Sequence, residues 1–150
     1  MSTTAKQARN AVKARLAHAS ITIPLYWSNE HIELPDEPTA FAFVVFDNDG
    51  PGRGPASFGD GINGNRWRNY ARVEAFVFVP RGSSADLADD HAESIAARLR
   101  SFRDNDISCF GAAVRETVPG HDLKPPGLDS EVGNYWCAIA EVDLFFDQIG

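Results

Sequence analysis

NRWRNYARVEAFVFVP, Asn65 to Pro80, is the stretch on which the fold turns. Trp67, Ala71, Val73, Ala75, Val77 and Val79 recur at even spacing, and Arg68, Tyr70, Arg72 and Glu74 stand between them. That is period two, the pattern of a strand with unlike faces. The strand follows a glycine-rich run, GPGRGPASFGDGING, in which six of fifteen residues are glycine. Its last six residues, GDGING at 59–64, match G-x-G-x-x-G, the spelling of a dinucleotide-binding loop. Such a loop works only when a strand leads in and a helix leads out, because the helix N–H groups hold the pyrophosphate. RGPASF leads in and a strand leads out, so the dinucleotide reading fails. The run is instead expected to be the long tip of a hairpin between AFAFVVF (Ala40–Phe46) and the strand Arg66–Val79.

Working outward, TTAKQARNAVKARLAHA at 3–19 is rich in alanine and unbranched side chains, with Ala8, Val12, Leu16 and Ala19 in a thin apolar stripe, which predicts a first helix. Ile21–Trp27 is apolar but broken by Pro24, so it suits a short edge strand or an extended arm. Pro80 ends the long strand. A second helix then starts at a cap on Ser83 or Ser84, with Asp86 placed to favour its first turn. Leu87, His91, Ile95, Leu99 and Phe102 predict its buried face. Arg98, Arg100 and Arg103 crowd its end, where cations suit the helix dipole. Ile107–Val118 and Tyr135–Phe146 alternate as strands about a proline-rich loop, PGHDLKPPGLDSEVG. The order is α-β-β-β-α-β-β. It predicts an α+β domain over residues 1–150, with a mostly antiparallel sheet of four or five strands, helices packed on one face, and a long projecting hairpin.

The composition of the 150-residue chain, 43% hydrophobic and 23% charged, is that of a globular domain. A net charge of −7 argues against tight nucleic-acid binding, which needs a basic face. Cys109 and Cys137 sit in apolar contexts and read as buried thiols in a reducing compartment. No secretory signal and no apolar run near the length of a membrane span occurs, so a soluble protein is expected.

Catalytic and metal signatures fail in turn. His18, His31, His91 and His121 show no zinc spacing. DNDGPGRGPASF from Asp47 begins like a calcium loop, but Pro51 and Phe58 stand where ligands belong. Asp86, Asp89, Asp90 and Glu93 fall on the solvent side and first turns of a helix, where acids are stabilising anyway. No Gly-Lys-Ser/Thr and no G-x-S-x-G occurs. The chain therefore reads as a non-enzymatic module with no cofactor and no metal. Three features exceed what a self-contained domain needs: the long loop with Arg53, Phe58 and Ile62; the long strand with Arg66, Trp67, Arg68, Tyr70 and Arg72; and the arm with Tyr26 and Trp27. Arginine with aromatics is interface composition, and these ten residues are the expected oligomer or partner interface.

Three local patterns carry a family resemblance. They are IPLYWSNEHIELPDEPTAFAFVVF (23–46), the glycine- and arginine-rich loop followed by YARVEAFVFVPRG (70–82), and the amphipathic DLADDHAESIAARLRSF (86–102). Over roughly residues 8–146 the chain resembles the tail terminator proteins of long-tailed phages and phage-derived gene transfer agents. The loops 47–65 and 118–133 are longer than the family core. The resemblance implies a small α+β protein that forms a six-membered ring on the head-proximal end of the tail tube. There it stops tube growth, offers a surface to head-closure or connector proteins, and encloses the channel through which DNA passes. Its implied place is the neck of a virion or phage-like particle assembled in a bacterial cytoplasm, with no membrane partner. Three other readings stay open: another neck or head-closure connector, a small-molecule-binding or enzymatic α+β domain with the glycine loop as a lid, and a tube subunit itself.

Overall fold

In the computed structural model, residues 2–28, 30, 32–34, 36–48, 56–58, 65–119 and 135–149 are described. Helix α1 (Ala5–Leu16) is followed by strands β1 (Leu25–Trp27), β2 (Phe41–Asp47), β3 (Ala56–Phe58) and β4 (Arg66–Pro80). Helix α2 (Ala85–Leu99) and strands β5 (Ser108–Pro119) and β6 (Tyr135–Ile149) complete the order. The strands form one sheet in the order β1-β2-β4-β6-β5, with β3 paired to β4 beyond the end of β2. All neighbours are antiparallel except β1 and β2, which run parallel. The α+β class, the helices on one face and the expected order hold. One addition is β3, a three-residue strand inside the stretch expected to be an irregular loop.

The long strand is long because it has a partner along its whole length. Arg66 faces Ile149 and Pro80 faces Tyr135, so β4 and β6 are coextensive. The last strand therefore runs three residues past the expected Phe146. Beyond the ends of β2 (Asp47 opposite Arg72) and β5 (Ser108 opposite Phe145), the β4–β6 pair continues and carries β3 at one edge. The projecting element is this ribbon, and the expected β2–β4 hairpin is only part of it.

Alternation sorts the two faces of the sheet. Ala71, Val73, Ala75, Val77 and Val79 of β4 point to the helices, with Ala138, Ala140, Val142 and Leu144 of β6 beside them. Small side chains at the centre of the sheet let α1 and α2 lie close upon it. In α1 the buried stripe is Ala8, Val12 and Leu16, as expected, whereas Ala19, expected with them, is exposed beyond the end of the helix; Thr4 with Gln7 forms a capping box. Ser84 caps α2. The buried face of α2 is Ala88, Ala92, Ile95, Ala96 and Leu99, rotated by about one residue from the face read off the larger side chains. Leu87 is left 38% exposed and His91 half-buried. The alanines let the helix seat closely on the valine–alanine sheet, while Ile95 and Leu99 fill the remaining space. At the C-terminal ends the helices cap one another. Arg15 Nε donates to the Arg98 carbonyl at 2.7 Å, and the Arg98 guanidinium donates to the Arg15 carbonyl at 3.0 and 3.2 Å.

Among the described residues, the opposite face bears no helix. At one end it is apolar: Phe41, Phe43, Phe76, Phe78, Tyr135, Cys137 and Ile139 are buried, with Ile32, Leu34 and Tyr26 packed against them. Toward the other end the character changes abruptly.

Candidate functional site

That other end is built from alternate rungs of the β4–β6 pair, each a directly opposed couple on the helix-free face. In order they are Arg68 with Asp147, Tyr70 with Phe145, Arg72 with Asp143, and Glu74 with Glu141. The antiparallel register brings residues more than sixty positions apart in sequence into side-chain contact. Arg68 grips Asp147 with two bonds, Nε–Oδ1 at 2.9 Å and Nη2–Oδ2 at 3.0 Å. Its guanidinium carbon also lies 3.9 Å from the centre of the Phe145 ring. Arg72 donates to Asp143 at 2.8 Å. The hydrogen bonds to these carboxylates hold both guanidinium pKa values above their ordinary position.

Between the two Arg–Asp rungs lies an aromatic patch. A register shift between Cys109 and Gly111 leaves Phe110 out of step with β6. This bulge turns the Phe110 ring onto the helix-free face, 6.1 Å from both Tyr70 and Phe145, centroid to centroid. Phe110 stays 50% exposed, the most exposed large hydrophobic side chain among those described. Tyr70 meets Phe145 edge-on at 6.3 Å.

The Glu74–Glu141 rung sets like charges opposite each other, which ordinarily weakens a sheet. Arg115 of β5 resolves it by reaching across, with Nη2 3.3 Å from Glu74 Oε2 and a close ion pair to Glu141. Burial, and then the Glu141 charge, push the Glu74 carboxyl above its usual range, while Arg115 and Arg72 pull it back.

The structure divides the residues singled out from sequence. Arg66, Arg68, Tyr70 and Arg72 share the helix-free face. Trp67 is on the helix side of the sheet and 40% exposed, so it cannot act in one patch with them. Tyr26 and Trp27, neighbours in β1, point to opposite faces. Tyr26 packs edge-on to Phe41 at 5.9 Å, and Trp27 lies beneath the Lys13 ammonium at 5.0 Å. Both are half-buried within their own chain and form part of its edge. Phe58 is placed by its backbone in β3, where it is opposite Arg66. Arg53, Ile62 and the GDGING stretch lie outside the described residues.

Phe110, Arg115, Phe145 and the acids Glu141, Asp143 and Asp147 belong to the surface and were missed. A signal for the last four was present, because EVDLFFDQI alternates acid, acid, phenylalanine, acid on one side and mirrors the Arg/Tyr/Arg alternation of β4. Phe110 had no such signal, since a bulge breaks the alternation by which a face is read.

No protein-family profile matches the chain, and no curated protein matches it.

One described concavity near the N-terminus offers a small molecule no uncommitted acid. A depression of about 200 Å³ is lined by Thr3, Arg66, Asp104, Asp106 and Asp147 among others. Its acids are engaged in structural bonds. Asp104 accepts from the N–H groups of Asp106 and Ile107, Asp106 from the Thr3 hydroxyl, and Asp147 from Arg68. Among the described residues, no group of three or more His, Cys, Asp and Glu is placed to hold a metal ion. Burial pushes both Cys109 and Cys137 up to about 12, which makes poor nucleophiles of them. No described helix is long and apolar enough to cross a membrane.

Proposed function

We propose that this protein is a structural assembly module that acts as a tail terminator. In this reading it forms a ring, with six subunits as the expected number, on the head-proximal end of a phage-type tail tube. The ring arrests tube growth and presents the surface that head-closure or connector proteins join. The observation that carries the assembly role is the Phe110–Tyr70–Phe145 patch on the helix-free face, flanked by Arg68 and Arg72. An exposed phenylalanine within an aromatic group framed by ion-paired arginines has the composition of a binding hot spot. The pairs also fix the arginine side chains before any partner arrives, which lowers the entropy cost of docking. The terminator role itself rests on the family resemblance of segments 23–46, 70–82 and 86–102. Mechanically the action is steric: one ring face matches the tube end, and the other lacks the surface that adds another tube subunit. The acidic balance of −7 suits a channel along which DNA slides without adhering.

The test is tube assembly from the cognate tube protein with and without this protein, followed by negative-stain microscopy and light scattering. Tubes of arrested length capped by rings support the role. Tubes of unchanged length without bound protein would refute it. Rings that bind only head-side proteins would move the assignment to a connector.

A further inference from the structure

The outer surfaces of the two helices carry matched charge stripes of opposite sign. Helix α1 contains Lys6, Arg9, Lys13 and Arg15 and no acidic residue. Helix α2 contains Asp86, Asp89, Asp90 and Glu93 in its first nine residues, with Arg98 as its lone basic residue. Lys6, Arg9 and Lys13 are spaced three and four apart, and so are Asp86, Asp89 and Glu93. Each trio therefore forms one stripe, about 10 Å long at 1.5 Å per residue.

The two stripes point away from each other. Arg15 and Arg98 mark the side on which the helices meet, through their reciprocal bonds. Lys13 sits over Trp27, so the basic stripe faces the β1 edge of the sheet. On α2, at about 100° per residue, Asp89 lies diametrically opposite Arg98, and Glu93 is roughly 140° round. The acidic stripe thus looks outward on the side away from α1. Lys6, Arg9, Asp86 and Asp89 have no ion-pair partner among the described residues. Lys13 and Glu93 have exposed surface partners, Glu30 at 3.8 Å and Arg100 at 2.8 Å, of the kind that exchange readily.

We infer that copies of this chain associate head to tail, with the Lys6–Arg9–Lys13 stripe of one copy set against the Asp86–Asp89–Glu93 stripe of the next. Opposite charges at equal spacing fit one another, whereas either stripe repels its own kind. The contact is therefore heterologous, and a heterologous contact closes into a ring when its rotation permits. The inference rests on the ring assembly proposed above and supplies the subunit contact for it. It also leaves the aromatic patch on the other face of the sheet free for a different partner.

The experiment is charge reversal on each side, read by light scattering and sedimentation. Lys6→Glu/Arg9→Glu reverses the basic stripe, and Asp89→Lys/Glu93→Lys reverses the acidic one. Lys6, Arg9 and Glu93 are exposed and Asp89 is half-buried, and circular dichroism verifies that each variant folds. The wild-type oligomer is expected to weaken with added salt, since charges farther apart than about 8 Å are screened at physiological ionic strength. Each variant alone is expected to lose the oligomer, with association weakened roughly tenfold per reversed pair. An equimolar mixture of the two variants restores it, because alternating copies then present opposite charges at every contact. Persistence of the oligomer in either variant, or absence of rescue in the mixture, overturns the contact, as does a wild type that is monomeric at high concentration in low salt. Tube capping that survives both reversals sinks this contact and leaves the terminator role standing. Association that obeys reversal and rescue, with tubes left uncapped, supports the contact and sinks that role.

Discussion

Arg115 is the keystone of the charged face, and replacing it is the sharpest test of how that face is held together. Glu74 and Glu141 stand directly opposite each other in the central strand pair, with side chains 22% and 20% exposed. Arg115→Met keeps much of the aliphatic stem and removes the charge that joins them. Arg115 is itself 50% exposed, so each of its two ion pairs is worth only the ~0.2–1 kcal/mol of a surface pair. The uncovered carboxylate repulsion adds ~0.2–1 kcal/mol as a directly opposed like-charge couple. The expected loss at neutral pH is about 1–2 kcal/mol, or a melting point lower by roughly 2–8 °C for a chain of this size. The pH dependence has a defined sign. The folded state already raises the Glu74 pKa above its unfolded value, so folding favours its protonated form, and ionising it costs stability as pH rises through that window. Removing Arg115 takes away a charge that lowers this pKa, so the window widens upward. The variant's deficit is therefore largest near pH 7 and shrinks as pH falls toward the ordinary carboxylate range. Thermal or urea unfolding from pH 4 to 8 measures it. In the Arg115→Met background, Glu74→Gln is expected to recover part of the loss at pH 7 and little at pH 4. A deficit independent of pH, with no recovery from Glu74→Gln, would refute this account and leave Arg115 a packing residue.

Three further outcomes are expected. Phe110→Ser costs less than about 1 kcal/mol in urea unfolding, because half of the ring is already in water, yet it abolishes partner binding in a tube co-sedimentation assay; a large loss of stability would make Phe110 a core residue. Ile95→Ala, deep under the sheet with 1% exposure, costs about 2–5 kcal/mol by the same measurement, since the alanines around it cannot fill the gap. Cys109 and Cys137 stay unreactive toward a thiol reagent at pH 8 in the folded protein and both react after denaturation, because burial holds them near 12; rapid labelling of the native protein would show that the core opens around them.

Much of the architecture is legible from local sequence, because period and capping are local properties. The alternation in RWRNYARVEAFVFVP assigns each side chain of β4 to a face before any partner is known. It separates Trp67 from Arg68, although grouping those residues by composition placed them in one patch. Ala8, Val12 and Leu16 identify the buried stripe of α1, and Ser84 caps α2 where a serine followed by an acid is expected to. The seat of α2 was less legible. Hydrophobicity points to Leu87, but the closeness of helix to sheet selects Ala88, and closeness is a property of two surfaces.

Pairing lay beyond the sequence. That Arg68 meets Asp147, that Glu74 faces Glu141, and that Arg115 lies within reach of both depend on strand register, which the combined packing of the sheet and its helices sets. A shift of one residue would move every one of those side chains to the other face. The bulge at Phe110 is likewise decided in three dimensions, where one extra residue in β5 turns a ring out of the ladder and onto the surface. The sequence by itself therefore determined the elements, their order and the two-faced character of β4, all of which depend on neighbours a few residues away. Tertiary structure alone decided which charges are neutralised, which aromatic ring is left exposed, and which helix sides look outward, because each depends on contacts between residues far apart in the chain.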